Sequence, residues 1–222
     1  MFVENVFNKE NIDNFLNELA EEYKKLSEKP EKLILVGGAS ILLNYNFRES
    51  TGDIDVMPLV SSYLIKAIEN ISKKYNLHRQ WLNDDFKNTK SFSKKLNDVS
   101  DLYKNIDNIL EIRTIKAEYL IAMKIMAGRT DKHDLSDIIG ILYEQQKTGK
   151  NIEKENIENA FLFLYDDIKL LPETSAMFLN KIFDSKDIET LFYEIKNTEK
   201  KEREFLENSE YLEKNNMPED NA

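Results

Sequence analysis

Leu33-Ile34-Leu35-Val36-Gly37-Gly38-Ala39-Ser40, followed by Asp53-Ile54-Asp55, is the stretch on which the fold turns. Leu33 to Val36 is a continuous apolar run between Pro30 and two glycines, the pattern of a buried strand. Gly37-Gly38 lets the backbone turn tightly and approach a ligand closely. The apolar segment Ala39 to Tyr45 then reads as a helix. A helix N-terminus presents unpaired N–H groups and partial positive charge, a seat for phosphate, to which Ser40 adds a hydroxyl. Taken alone, the glycine pair also fits a tight strand-to-helix turn with no ligand. After a polar turn, Arg48 to Gly52, a second short strand runs from Asp53 to Met57 and closes at Pro58. Alternate strand residues share a face, so Asp53 and Asp55 point one way while Ile54 and Val56 enter the core. Two like charges on a half-buried strand repel, and burial adds a desolvation cost. Mg2+, a hard cation that takes carboxylate oxygens together with substrate phosphates, would offset both. Two such ions about 3.5–4 Å apart would hold the attacking and leaving oxygens of a phosphoryl displacement. A solvated strand end is the alternative for an isolated Asp-x-Asp.

Outward from this stretch the pattern is mixed. Ile12, Phe15, Leu16, Leu19, Ala20, Tyr23 and Leu26 recur at helical steps before Pro30. Leu64, Ile65, Ile68, Ile71 and Tyr75 predict a second amphipathic helix over 62–75. Leu77 to Ser100 is polar with weak periodicity, and a loop or broken helix fits it best. Ile109 to Ile115 alternates and is β-branched, which predicts a third strand, and helices follow over 117–127 and 132–144. Beyond Gly149 the periodicity is helical, broken at Pro172, with two further stripes over Met177 to Phe183 and Ile188 to Ile195. From Asn197 onward four basic residues face eight acidic ones, so a frayed helix is expected to pass into a disordered end over the last ~20 residues. The order predicts an α+β fold: a small mixed β-sheet flanked by helices, within 1–115, and a helical C-terminal region, 116–222.

Composition removes several classes. The 222 residues contain no cysteine and two histidines, which excludes disulfide scaffolds, thiol catalysis and Cys-based zinc sites. A net charge of −10 argues against an extended nucleic-acid groove, because affinity there comes mainly from Lys and Arg on phosphates. No apolar run reaches the ~18 residues of a membrane span, and the first residues lack a signal-peptide pattern, so a cytoplasmic protein without membrane contact is expected.

The glycine turn with Ser40, then Arg48, Thr51 and Asp53-Ile54-Asp55, resembles the opening of the nucleotidyltransferase superfamily, the fold of DNA polymerase β and of antibiotic nucleotidyltransferases. More narrowly it is similar to AbiEii- and MenT-like toxin nucleotidyltransferases. A later segment, Glu118-Tyr119-Leu120-Ile121-Ala122-Met123-Lys124-Ile125-Met126-Ala127-Gly128-Arg129 with Asp134-Leu135-Ser136-Asp137, is similar to their second block. Trp81-Leu82-Asn83-Asp84 looks like a motif of a related uncharacterised subgroup. The likeness covers roughly residues 30–145.

The resemblance implies specific roles. Gly37, Gly38 and Ser40 would cradle phosphates, and Asp53 and Asp55 would bind Mg2+. Arg48, Thr51, Lys124, Arg129, Asp134 and Asp137 would lie at the nucleotide. Glu111, which shares the polar face of its strand with Arg113, would be the third carboxylate, serving both catalysis and metal binding. It further implies transfer of a nucleoside monophosphate from an NTP such as ATP to an acceptor hydroxyl. A tRNA or other RNA 3′ end is one acceptor; a protein hydroxyl or a small molecule is another. The chain would then be the toxin of a toxin–antitoxin or phage-defence pair, with a cognate antitoxin as partner. Lys87, Lys90, Lys94 and Lys95 would serve to capture an RNA end.

The residues alone admit plainer readings beside these. Lys124 reads as a solvated lysine on an apolar helix, and Asp134 and Asp137 as a helix N-terminal pair. Arg129 reads as a helix C-terminal cation, His133 as incidental rather than a base, and Trp81 as a packing anchor. A non-catalytic nucleotide- or partner-binding module of the same fold, or an antibiotic-modifying enzyme, are the functional alternatives.

Overall fold

Side-chain alternation on one strand divides the molecule. In β1 (Glu31–Leu35) Leu33 and Leu35 face one side of the sheet, while Ile34 and the following Val36 face the other, and all four are buried. A strand covered on both faces needs apolar residues at every position, which is why it reads as an unbroken run. The computed structural model describes residues 6–129, 133–185 and 187–215.

Leu33 and Leu35 pack beneath two helices, α1 (Lys9–Lys24) and α3 (Ser62–Tyr75). The start of α1 is fixed by a reciprocal cap: Asn11 N–H donates to the Asn8 side chain (2.9 Å), and Asn8 N–H to the Asn11 side chain (2.8 Å). Ser61 caps α3, and Asn76 ends it in the left-handed conformation. Trp81 is buried in this layer, its indole N–H donating to the Ile68 carbonyl (3.2 Å), and is a packing anchor.

Between them, α2 (Gly37–Asn44) leaves the end of β1, and β2 (Ile54–Asp55) pairs in parallel with β3 (Leu82–Asn83). In the larger sheet the order is β1, β5 (Leu110–Ile115), β4 (Ser100–Ile106), with β1–β5 parallel and β4–β5 antiparallel. A bridge between Leu35 and Val56 joins the two sheets, with Val36 N–H donating to the Asp55 carbonyl (2.9 Å). The strand pair carrying the acidic residues is thereby held at the end of β1, beside the glycine turn.

Ile34, Val36 and Ile115 face the second core, made with α4 (Ala117–Ala127), α5 (Asp134–Lys147), α6 (Lys154–Tyr165), α7 (Glu173–Asp184) and α8 (Ile188–Asn215). The α+β class is as expected, with a small mixed sheet flanked by helices and a helical second half. The polar segment 77–100 holds β3 and two short 3-10 helices, Asp85–Asn88 and Lys94–Asp98. β4 lies outside the strands expected from sequence. Its residues are largely exposed or half-exposed on an edge, so no apolar alternation marks it. The expected disorder of the C-terminal end falls partly on residues 216–222, which lie outside the described residues.

Gly140 on α5 marks a close approach that periodicity does not reveal. A Cβ placed there would lie 2.6–2.7 Å from the Phe47 ring, which itself packs edge-on against Phe192 of α8. Gly140→Ala should therefore lower stability by about 1–3 kcal/mol through overpacking. Gly52→Ala, with nothing within 4 Å of the added carbon, should stay within about 0.5 kcal/mol. Paired urea denaturation curves check both.

Candidate active site

The turn after β1 requires both glycines, for different reasons. Gly37 has φ +56°, a left-handed backbone that side chains disfavour, and its missing Cβ would lie 3.5 Å from Asp55 Oδ2. At Gly38 a Cβ would lie 2.8 Å from Thr51 Oγ1 and 2.9 Å from Arg48 Nη2. The absent side chain is replaced by two polar groups from the loop before β2. Thr51 is held by paired backbone hydrogen bonds with Phe7, both 2.8 Å. Arg48 Nε donates to the Ser50 carbonyl (3.1 Å) and Nη1 bonds Asp137, leaving Nη2 beside Gly38. Val36 offers α2 no side-chain cap. Uncapped first-turn N–H groups, a guanidinium and a hydroxyl thus converge, the chemistry of an anion seat.

Ser40 is not part of that seat. It is fully buried, and its Oγ accepts a hydrogen bond from Ile115 N–H (3.1 Å), tying α2 to the end of β5. One turn into a helix its side chain points back toward the sheet, so the expected phosphate contact gives way to a structural one.

A cavity of about 680 Å³ opens at this turn, lined by Gly37, Gly38, Asp53 and Asp55. Ile54 and Val56 are fully buried, so the expected alternation along β2 holds, with Asp53 exposed and Asp55 half-buried. Among the described residues neither carboxylate forms an ion pair with Lys, Arg or His. Burial, reinforced by the charge of Asp53, pushes the Asp55 carboxyl up from 3.8 to about 6; Arg129 and Lys124 pull the other way. The carboxylate is thus less stable here than in water, the condition that a bound cation relieves.

Asp85, from the 3-10 turn after β3, also lines the cavity, and its charge contributes to raising Asp55. Glu111 does not line it. In the parallel register Glu111 stands opposite Lys32, while the end of β1 faces Thr114, about 10 Å further along the strand. Its carboxylate accepts from Arg113 Nη1 (2.9 Å). Besides Asp134, which Lys124 pairs, the acidic side chain that joins Asp53 and Asp55 at the cavity is therefore Asp85, next to Trp81-Leu82-Asn83-Asp84; β2–β3 pairing, not strand alternation in β5, brings it there. Among the described residues, no group of three or more His or acidic side chains is already arranged to hold a metal ion. Two unpaired carboxylates suit Mg2+, which takes one or two carboxylates and completes its shell with water and substrate phosphates.

The cationic side of the cavity is a buried network. Lys124 Nζ lies 2.6 Å from Asp134 Oδ1 and 2.7 Å from Asp137 Oδ2. Arg48 Nη1 bonds Asp137 at 2.5 Å and Arg129 Nε bonds Asp134 at 2.9 Å. Lys124 is 9% exposed, Asp134 2% and Asp137 1%, so the lysine is not the solvated residue its apolar helix suggested. Among the described residues, three cations share two anions. Asp134 and Asp137 position Lys124, Arg48 and Arg129, and the buried Asp137 does not line the cavity. Burial would raise the Asp134 carboxyl, but the Lys124 charge and bonds from Arg129 and Lys124 outweigh it and hold it below its usual range. His133 lines the cavity, with Nδ1 3.0 Å from Glu199 Oε2 of α8. Of the four loop lysines, Lys90 reaches the cavity, whereas Lys87 pairs with Asp84 and Lys95 with Asp166. Phe86, Leu120 and Met123 supply apolar lining that the sequence reading did not assign to the site.

The fold and this cavity define an α+β domain in which two carboxylates, a glycine turn and a cationic cluster line one cavity. Residues 12–171 match the family described as "Nucleotidyltransferase of unknown function (DUF6036)", and the chain belongs to that family of nucleotidyltransferases. No curated protein and no solved structure matches the chain. Among the described residues, no helix is long and apolar enough to cross a membrane.

Two outcomes follow from the electrostatics. Lys124→Met leaves Asp134 and Asp137 short of a buried partner and should cost about 3–5 kcal/mol in denaturant unfolding. Because Asp55 binds its proton more tightly when folded, metal-free stability should fall as pH rises from the unfolded value of 3.8 to about 6. Asp55→Asn should abolish that limb and raise stability at neutral pH by an amount on the order of 1–2 kcal/mol, after allowance for partial exposure. Thermal melts across this range check the sign.

Proposed function

We propose that the protein is a Mg2+-dependent nucleotidyltransferase that transfers a nucleoside monophosphate from an NTP to an acceptor hydroxyl and releases pyrophosphate. The observation that carries the reading is the juxtaposition in one cavity of two carboxylates without an ion pair among the described residues, the uncapped start of α2 and the Arg48–Lys124–Arg129 cluster. The N–H groups of Gly37 and Gly38, with Arg48 Nη2 and Thr51 Oγ1, would bind the terminal phosphates. Lys124 and Arg129 would counter the remaining triphosphate charge, and Phe86, Leu120 and Met123 offer apolar surface to the nucleoside. Asp53 and Asp55 would hold the metal, with Asp85 rather than Glu111 as the third carboxylate. When bound, Mg2+ supplies charge neutralisation at the reacting phosphate and at the oxygens on either side of it. The protein contributes position: the reacting groups are carried on strand and helix ends locked by buried ion pairs.

By the same reading the NTP, for instance ATP, is the substrate, and an RNA 3′ end such as that of tRNA is the acceptor. The likeness to toxin nucleotidyltransferases supports a toxin role with an antitoxin protein as partner, in the cytoplasm. The lack of a ready-made group of three ligands among the described residues favours a second reading, a nucleotide-binding module without turnover. Incubation with labelled NTP and total RNA separates the two. Wild-type protein should release pyrophosphate only with Mg2+, and Asp53→Ala/Asp55→Ala should abolish release while leaving the circular dichroism unchanged. Asp85→Asn should slow release by about 10²-fold or more, whereas Glu111→Gln should leave it within about twofold. Equal release by the double variant overturns the mechanism.

A further inference from the structure

Ser91 follows the 3-10 turn that carries Asp85 and Phe86 and lines the same cavity. The residue is 6% exposed. Its carbonyl accepts from the Tyr165 O–H at the end of α6 (2.8 Å), and two residues on, Ser93 Oγ donates to the Leu164 carbonyl (2.9 Å). Between these two anchors Phe92 packs edge-on against Phe86, with ring centroids 5.9 Å apart. The backbone around Ser91 is thus fixed. Its Oγ, by contrast, has no hydrogen-bond partner among the described residues. That oxygen is not sealed off either. Among the described residues, Asp13 Oδ1 is the unpartnered side-chain polar atom fully enclosed by protein, so Ser91 Oγ opens onto the space beside it, which is the cavity. The neighbouring Thr89 shows the ordinary outcome: its Oγ1 donates to the Phe86 carbonyl (2.8 Å), a local bond of the kind that serine and threonine readily make. A nearly buried hydroxyl left without such a bond costs stability, and a ligand that supplies the partner relieves the cost.

We infer that Ser91 is a specificity-determining residue whose hydroxyl hydrogen-bonds the edge of the nucleobase of the bound NTP. The inference rests on the nucleotidyltransferase reading and adds to it the group that selects among bases. The glycine turn and the cations of that reading serve the phosphates. Beside Ser91, the lining includes the apolar side chains of Phe86, Leu120, Met123 and Ala127. A base has flat apolar faces and a polar rim, whereas a ribose carries hydroxyls around its ring, so one hydroxyl set among apolar side chains matches a base rim. Serine both donates and accepts, and therefore suits a keto or an amino edge. Held at one point, it favours a base whose polar atom reaches that point and is left unpaired by a base whose polar atoms lie elsewhere.

The test uses the full chain with Mg2+ and titrates ATP, GTP, CTP, UTP and inorganic tripolyphosphate calorimetrically against wild type and Ser91→Ala. Wild type should favour one NTP over another by about tenfold or more, and Ser91→Ala should weaken the favoured NTP by about tenfold, bringing the bases together. Tripolyphosphate, which has no base, should bind both proteins within about twofold. The 2′-deoxy form of the favoured NTP should lose the same factor in both proteins, which separates a base contact from a ribose contact. The melting temperature of Ser91→Ala should not fall, because the hydroxyl it removes has no partner in the fold. Equal affinities for the four NTPs in wild type, an unchanged order in Ser91→Ala, or a loss confined to the ribose-to-deoxyribose difference overturns the inference. A lowered melting temperature does so as well, since it assigns the hydroxyl a structural bond. Failure of the parent reading looks different: the order of affinities still depends on Ser91, yet no pyrophosphate is released with any acceptor.

Discussion

Lys124 reaches both Asp134 and Asp137 with a single ammonium, and the rest of the site is arranged around that contact. It pins α4 to α5 beneath the cavity. Through Asp137 it also fixes Arg48, and so the loop that packs against Gly38. Removing this contact would leave charges stranded away from water, so helix spacing, loop position and the packing at the glycine turn are set together. Such networks give little net stability against a well-packed apolar alternative. What this one supplies is a fixed set of cationic side chains along one side of the cavity.

The sequence shows some of this plainly and hides the rest for identifiable reasons. β1, α2 and α3 are legible because burial forces a simple pattern, an unbroken apolar run or a helical stripe. β4 is an edge strand with mixed polarity, and its signal is the turn into β5, where Asp107 and Asn108 both take positive φ. At the site, the glycine pair and Asp53 and Asp55 follow from local spacing. Ser40 misleads because a hydroxyl near a helix start looks like a ligand donor until the facing strand end is known. Glu111 misleads because alternation gives the face of a strand but not its register. Asp85 depends on the pairing of two-residue strands, too short to leave a periodic trace.

Charge is distributed against the overall balance. The chain is strongly acidic, yet among the described residues the network at the cavity joins three cations to two anions. Positive side chains are thereby gathered at one cavity of an acidic chain, where they attract anionic groups. Asp53, Asp55 and Asp85 stand within the same region, so an incoming polyphosphate meets a site of alternating sign rather than a uniform positive patch.

α8 lies beyond the span that matches the family, residues 12–171. Its Lys196 nevertheless donates to the Phe47 carbonyl (3.1 Å), its Phe192 packs on the Phe47 ring, and its Glu199 accepts from Ser136 N–H and contacts His133. One helix thus braces both the loop next to Arg48 and the beginning of α5. A recombinant fragment trimmed to the shared span would keep every residue that lines the cavity and still lose the buttress behind them. The folded unit that supports this cavity is therefore longer than the segment by which the chain's kinship is recognised.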